Sequence, residues 1–181
     1  SNSGKEPIQY LHERNLNEDI IKKFRLGFAL DSWDYLYNKI KKEGSNDDLM
    51  KSGLLIRSKK GIFDRFRSRI MFPIFHQSGK VIGFGGRDFK KNDVAKYLNS
   101  PETTLYQKSN TLYGLHITKD YIRKSGYVIL VEGYMDLLQL YQAGIRSVVS
   151  VSGTSLTQNH ANMLSKLVNK IILLYDGDSA G

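Results

Sequence analysis

Four carboxylates in the last third of the chain carry the clearest chemical signal. Glu132 and Asp136 form one pair and Asp176 and Asp178 another, and they are the only acids from residue 126 onward. Each pair directly follows an apolar run. Two unit charges about 4 Å apart repel by about 4 kcal/mol at an effective dielectric near 20, so four gathered carboxylates need a cation or must take up protons. A hard divalent ion held through oxygen, magnesium or manganese rather than zinc, meets that need, since neither cysteine nor histidine stands in either pair. Gly133 and Gly177 beside the acids would let a metal-bound phosphate approach the backbone. The chemistry expected is metal-assisted phosphoryl transfer. A single acid after a strand could equally cap the next helix, but two pairs in a segment otherwise empty of acids favour a site.

Certain elements must position those acids. Residues 127–131 are a continuous apolar run, 134–143 are helical in pattern, 147–151 are a second apolar run, 157–167 read as a helix and 170–175 as a third strand. The order is β-α-β-α-β, and strands apolar on both faces suit a parallel sheet covered by helices. Ligands of such sheets bind outside the carboxyl ends of the strands, which is where Glu132 and Asp176 fall. If the first and third strands are neighbours, as right-handed crossovers permit, all four carboxylates converge.

The earlier part of the chain differs in charge and pattern. The 181 residues hold 27 lysines and arginines against 18 acids; 24 and 14 of these lie in residues 1–125, so that part carries +10 and residues 126–181 carry −1. Such a basic excess suits a polyanion: nucleic acid, nucleotides or acidic lipid. Helices are expected over 7–14, with Pro7 in the first turn, and over 16–24, capped by Asn17. A third, over 31–43, should bury Trp33, Leu36, Tyr37 and Ile40 and leave Lys39, Lys41 and Lys42 in solvent. A brief helix is expected at 48–52. Residues 54–57, 69–75 and 80–85 read as strands of a small antiparallel sheet, with a hairpin at Gln77-Ser78-Gly79. Residues 96–101 read as an ordered loop, and 116–124 as a helix.

Several residues of this basic part could touch a ligand. Strand alternation would set Arg65, Arg67 and Arg69 on one side of the sheet, where they contact phosphate or serve as rim arginines. Tyr97, beside Lys96 and Asn99, suits base stacking or packing against the sheet. Gly83-Phe84-Gly85-Gly86 lacks the ending of a phosphate-binding loop, and the four histidines, His12, His76, His116 and His160, have no ligand spacing.

Val131-Glu132-Gly133-Tyr134-Met135-Asp136, followed about forty residues later by Asp176-Gly177-Asp178-Ser179-Ala180-Gly181, resembles the Toprim signature of primases, several topoisomerases and some nucleases. Upstream, Arg65-Phe66-Arg67-Ser68-Arg69-Ile70-Met71-Phe72-Pro73-Ile74, Gly79-Lys80-Val81-Ile82-Gly83-Phe84-Gly85-Gly86-Arg87, Lys96-Tyr97-Leu98-Asn99-Ser100-Pro101-Glu102-Thr103 and Leu112-Tyr113-Gly114-Leu115 are similar to bacterial replicative primases of the DnaG type. The resemblance runs from Ile8 to Gly181 and keeps the family's motif order. It implies an α/β fold: a basic α+β N-terminal subdomain over 1–125, then part of a Rossmann-like Toprim subdomain over 126–181.

The resemblance also assigns roles. Glu132 would be the acid near the reacting phosphate, with Asp176 and Asp178 sharing in catalysis. Asp136, Asp176 and Asp178, and Glu132 if it bridges, would hold magnesium or manganese. Arg87, Lys96, Tyr97, Asn99 and Lys108 match the family's groove for template and nucleotide phosphates, with Arg67 and Arg69 on the same surface. The family begins with a zinc-binding module of cysteines and histidine, whereas this chain has no cysteine, so no zinc is expected in it. The family's Toprim sheet also continues beyond the position of Gly181, so the chain reads as a fragment whose sheet is open at one edge.

The function expected is synthesis of short RNA primers on a single-stranded DNA template from ribonucleoside triphosphates. A replicative helicase is the implied partner, through regions absent here, and the cytoplasm, at the nucleoid and replisome, is the implied place. The alternatives are a non-catalytic Toprim module that binds nucleic acid, and a Toprim nuclease or topoisomerase. The lack of cysteine excludes a disulfide framework, a thiolate nucleophile and an iron–sulfur cluster. No apolar run reaches the roughly 20 residues of a membrane-spanning helix.

Overall fold

The computed structural model describes residues 4–90 and 95–177. Helix α1 (Lys5–Glu13) has Pro7 in its first turn, and α2 (Glu18–Lys23) is capped by the Asn17 side chain, which accepts from the Ile20 N–H at 3.0 Å. Strand β1 (Gly27–Ala29) follows, too short to show a pattern in the sequence.

Helix α3 (Tyr35–Ile40) covers only the middle of the expected 31–43 helix, and none of its residues is buried. Trp33, expected in the core, lies ahead of the helix and is 62% exposed. The helix begins where it does because the Asp64 carboxylate accepts the Leu36 N–H at 2.7 Å and the Tyr37 N–H at 2.9 Å. That satisfies two otherwise unpaired first-turn donors from a residue 27 positions past Tyr37, which no local pattern announces. Helix α4 (Asn46–Lys51) is capped by Ser45 and leads into the hairpin β2 (Leu55–Ser58) and β3 (Gly61–Asp64).

Strands β4 (Arg69–Phe75), β5 (Val81–Asp88) and β6 (Tyr97–Asn99) complete an antiparallel sheet in the order β1-β4-β5-β6. The segment expected as a loop over 96–101 thus supplies an edge strand. Residues 65–68 form a bend, with Ser68 at φ +50°, so of the three arginines only Arg69 lies in a strand. The alternation expected to align Arg65, Arg67 and Arg69 therefore does not exist. The glycines of β5 are explained by close approach: a Cβ on Gly83 would sit 3.0 Å from the Tyr106 ring, and one on Gly86 2.8 Å from Phe66.

Helix α5 (Leu115–Ser125) is bounded by two left-handed glycines, Gly114 and Gly126. Then come β7 (Tyr127–Val131), α6 (Tyr134–Gln142), β8 (Val148–Ser150), α7 (Gln158–Ser165, capped by Thr157) and β9 (Lys170–Leu173). The three strands are parallel in the order β8-β7-β9, with Ile129 of the central β7 opposite Val148 and Ile172. The first and third strands are therefore neighbours, as convergence of the acids requires.

The two sheets share a core. Phe24 and Phe72 pack with Tyr134, Leu137, Leu138 and Tyr141 of α6 in one buried cluster, while Leu115, Ile122 and Leu164 cover β7 and β8 in a second. Tyr113 forms a backbone bridge to Ser150, each donating to the other. Among the described residues no helix is long and apolar enough to cross a membrane.

Candidate active site

The carboxyl ends of β7 and β9 open into a cleft of about 680 Å³. Glu132 follows β7 directly, Asp136 lies in the first turn of α6, and Asp176 lies three residues past β9; all three line the cleft. The backbone holds two of them in place. Asp136 Oδ2 accepts the Gly133 N–H at 2.9 Å, and Glu132 Oε1 accepts the Asp176 N–H at 3.3 Å. A Cβ on Gly133 would sit 2.7 Å from Asp136 Oδ2, so a side chain there would push the carboxylate out of this position. Asp178 lies outside the described residues, and among those described no group of three or more potential ligands is drawn together tightly enough to hold a metal ion.

The carbonyl of Glu132 is fixed from β8, accepting from the Ser150 hydroxyl and from the Ser152 N–H, each at 2.9 Å. Lys96, with Tyr97 and Asn99 of β6, and the loop over 151–156 also line the cleft. Tyr175 also lines the cleft, its phenol pushed up by burial and by the nearby Glu132 charge.

Some basic residues singled out from the sequence face the cleft and others do not. Lys96 is exposed at its wall. Arg87 is 6% exposed, and its guanidinium donates to Tyr10 Oη at 2.8 Å and to Tyr97 Oη, with both rings beneath it. Burial pushes the Tyr97 phenol up, and the neighbouring Arg87 charge opposes that. Arg69 donates to the Gly86 carbonyl at 3.2 Å, and Arg67 stacks 3.9 Å over Trp33 while donating to the Asp64 carbonyl. Neither lines the cleft. Lys108 sits in a short 3-10 turn against α7, where its carbonyl is 2.8 Å from His160 Nε2.

The donor chemistry fits a hard cation. The carboxylates offer only oxygens, and for the two held by backbone N–H groups the second oxygen accepts no hydrogen bond among the described residues. The sequence reading missed Tyr134, Ser150 and Ser152, because each acts by contacts between elements.

Residues 1–119 match the family described as the DNA primase catalytic core, N-terminal domain, and residues 129–181 match the Toprim-like family. The chain belongs to the DNA primase family. The DNA primase of Legionella pneumophila is 45% identical over 180 residues, covering 99% of this chain and 31% of its own length, and that of Escherichia coli is 43% identical over 178 residues, covering 96% and 30%. The chain thus spans about a third of the curated primases it matches. In three dimensions it is similar to the RNA polymerase domain of Mycobacterium tuberculosis primase, with TM-score 0.91, 35% identity, and 99% of this chain matched to 62% of that one. A primase catalytic domain bound to single-stranded DNA superposes with TM-score 0.90 at 40% identity, covering all of this chain and 57% of that one. Toprim primases as a class are generally metal-dependent.

Proposed function

We propose that this chain is part of a primase core that makes short RNA primers on single-stranded DNA by metal-dependent nucleotidyl transfer. The observation that carries the reading is that Glu132, Asp136 and Asp176 all line one cleft, together with Lys96. Magnesium or manganese bound there, with Asp178 as a further ligand, would stabilise the attacking and leaving oxygens at the α-phosphate. Asp136 and Asp176 would hold the cation, and Oε2 of Glu132 would serve the cation or take up a proton in transit. The donor set calls for no zinc.

Residues 1–125 act in this reading as the basic half that holds template and triphosphate, and residues 126–181 as the Toprim part that holds metal. Lys96 is the cation best placed for phosphate. Tyr97 and Asn99 shape the wall, and Arg87 supports them from behind. Arg67, Arg69 and Lys108 do not line the cleft, and in this reading they hold neither template nor triphosphate there. Single-stranded DNA, ribonucleoside triphosphates and the RNA primer are the substrates and product. A replicative helicase is the expected partner through other parts of the polypeptide, in the cytoplasm at the replisome.

The test is primer synthesis by the full primase polypeptide carrying this chain, beside its Glu132→Gln variant. Short RNA products that fall by about 10²–10⁴-fold in the variant, with DNA affinity kept, support the reading. Scission of the DNA by the wild type would point to a nuclease instead, and DNA binding indifferent to metal, with no product, to a binding module.

A further inference from the structure

The side chain of Asn99 is committed to protein contacts on both sides. Its Nδ2 donates to the Ser152 carbonyl at 2.8 Å, and its Oδ1 accepts from the Tyr134 hydroxyl at 2.8 Å. A carbonyl can only accept, so the amide orientation is fixed by chemistry. Both partners lie across the boundary between the sheets, and both adjoin the site: Tyr134 is two residues from Glu132, and the Ser152 N–H holds the Glu132 carbonyl.

The surrounding structure is shaped to permit this contact. Asn99 of β6 is paired with Gly85 of β5, and a Cβ on Gly85 would lie 2.5 Å from the Tyr134 hydroxyl. The missing side chain leaves the gap through which the phenol reaches Asn99. On the other side, a Cβ on Gly153 would sit 3.0 Å from Asn99 Nδ2, and Gly153 has φ +89°. The Tyr134 ring itself is immobilised, stacked on Phe72 at 4.8 Å and edge-on to Tyr113 at 4.7 Å. Ser152, at φ +51°, is held in a left-handed conformation that costs energy unless its neighbours impose it.

We propose that Asn99 is a positioning residue that ties the antiparallel sheet to the turn bearing Glu132, rather than a ligand for nucleic acid. It acts through Tyr134 on one side of the acid and through Ser152 on the other. The inference rests on the primase reading of the site, but part of its test does not.

The experiment compares Asn99→Ala, Tyr134→Phe and the double variant in the full primase polypeptide. Three quantities are read: manganese affinity by calorimetry, affinity for a single-stranded oligonucleotide, and turnover at saturating DNA. Tyr134→Phe keeps the ring and its packing and removes only the hydroxyl, so it separates positioning from folding. The expected result is a several-fold loss of manganese affinity and a 10–100-fold loss of turnover in each single variant. The double variant should be hardly worse than Asn99→Ala alone, because that substitution already cuts the link that Tyr134→Phe removes, and oligonucleotide affinity should stay within about twofold. Weakened DNA binding in Asn99→Ala with turnover at saturating DNA unchanged would overturn the proposal, as would wild-type manganese affinity and turnover in Tyr134→Phe. If the wild type made no primer, the primase reading would fail while the manganese measurement still decided the role of Asn99.

Discussion

The antiparallel half and the parallel half treat their charged residues in opposite ways. In the first, arginines that look like ligands for phosphate are spent inside the protein: Arg87 on two tyrosines, Arg69 on a strand carbonyl, Arg67 on a tryptophan face. In the second, acids stand at strand ends with carboxylate oxygens facing a cleft. The difference follows from reach. An arginine carries five donors on a long stem and can fold back onto its own sheet, whereas a carboxylate one to three residues past a parallel strand is presented outward by the backbone. An acid at such a place is therefore better evidence of a site than an arginine in a basic region.

The comparison can be broken most sharply at Glu132, where the loss of turnover expected of Glu132→Gln is the largest effect. Next is Gly85→Ala, which would place a methyl 2.5 Å from a ring that cannot move, wedged as it is between Phe72 and Tyr113. It should cost about 1–3 kcal/mol or more, read as a lowered denaturation midpoint. Arg87→Lys keeps the charge but not the fork that grips both tyrosines. A loss of roughly 1–3 kcal/mol with DNA affinity little changed supports the scaffold role, and the reverse pattern would return Arg87 to the groove.

A smaller effect concerns pH. His116 stacks on Phe75 at 4.2 Å with a buried Nδ1 that has no partner among the described residues, and burial, then the Lys119 charge, lowers its pKa to about 4. The unfolded chain takes up this proton near its ordinary value of 6.5 while the folded chain resists. The imidazole therefore costs no stability above that value, and stability declines as pH falls from there towards about 4. His116→Phe should flatten that part of a melting-temperature profile. The smallest effect is expected at Lys96, where Lys96→Ala should reduce the log–log salt slope of single-strand binding by about 0.7. Lys41→Ala, on an exposed turn, should leave it unchanged.

The parallel half was legible almost to the residue, since β7 spans the expected 127–131 and α6 ends one residue short of the expected 134–143. A buried parallel strand writes itself as a continuous apolar run, and the acids at its end need only the chain direction to be placed. Strand β4 was equally clear at 69–75. Strands β1 and β6 were not: β8 is equally short but lies in an apolar run, whereas Gly27–Ala29 and Tyr97–Asn99 lie in none and exist as strands through their partners.

The sequence by itself determined the order of elements in the parallel half, the charge division and the spacing that sends Glu132, Asp136 and Asp176 to one end of a sheet. These depend on local periodicity and on chain direction alone. Tertiary structure decided which arginines are free, that Asp64 caps α3, that the glycines of β5 admit aromatic rings, and that Asn99 reaches across to Tyr134 and Ser152. Those outcomes depend on distances between segments far apart in the chain, and residue type and spacing carry no record of such distances until the sheets have packed.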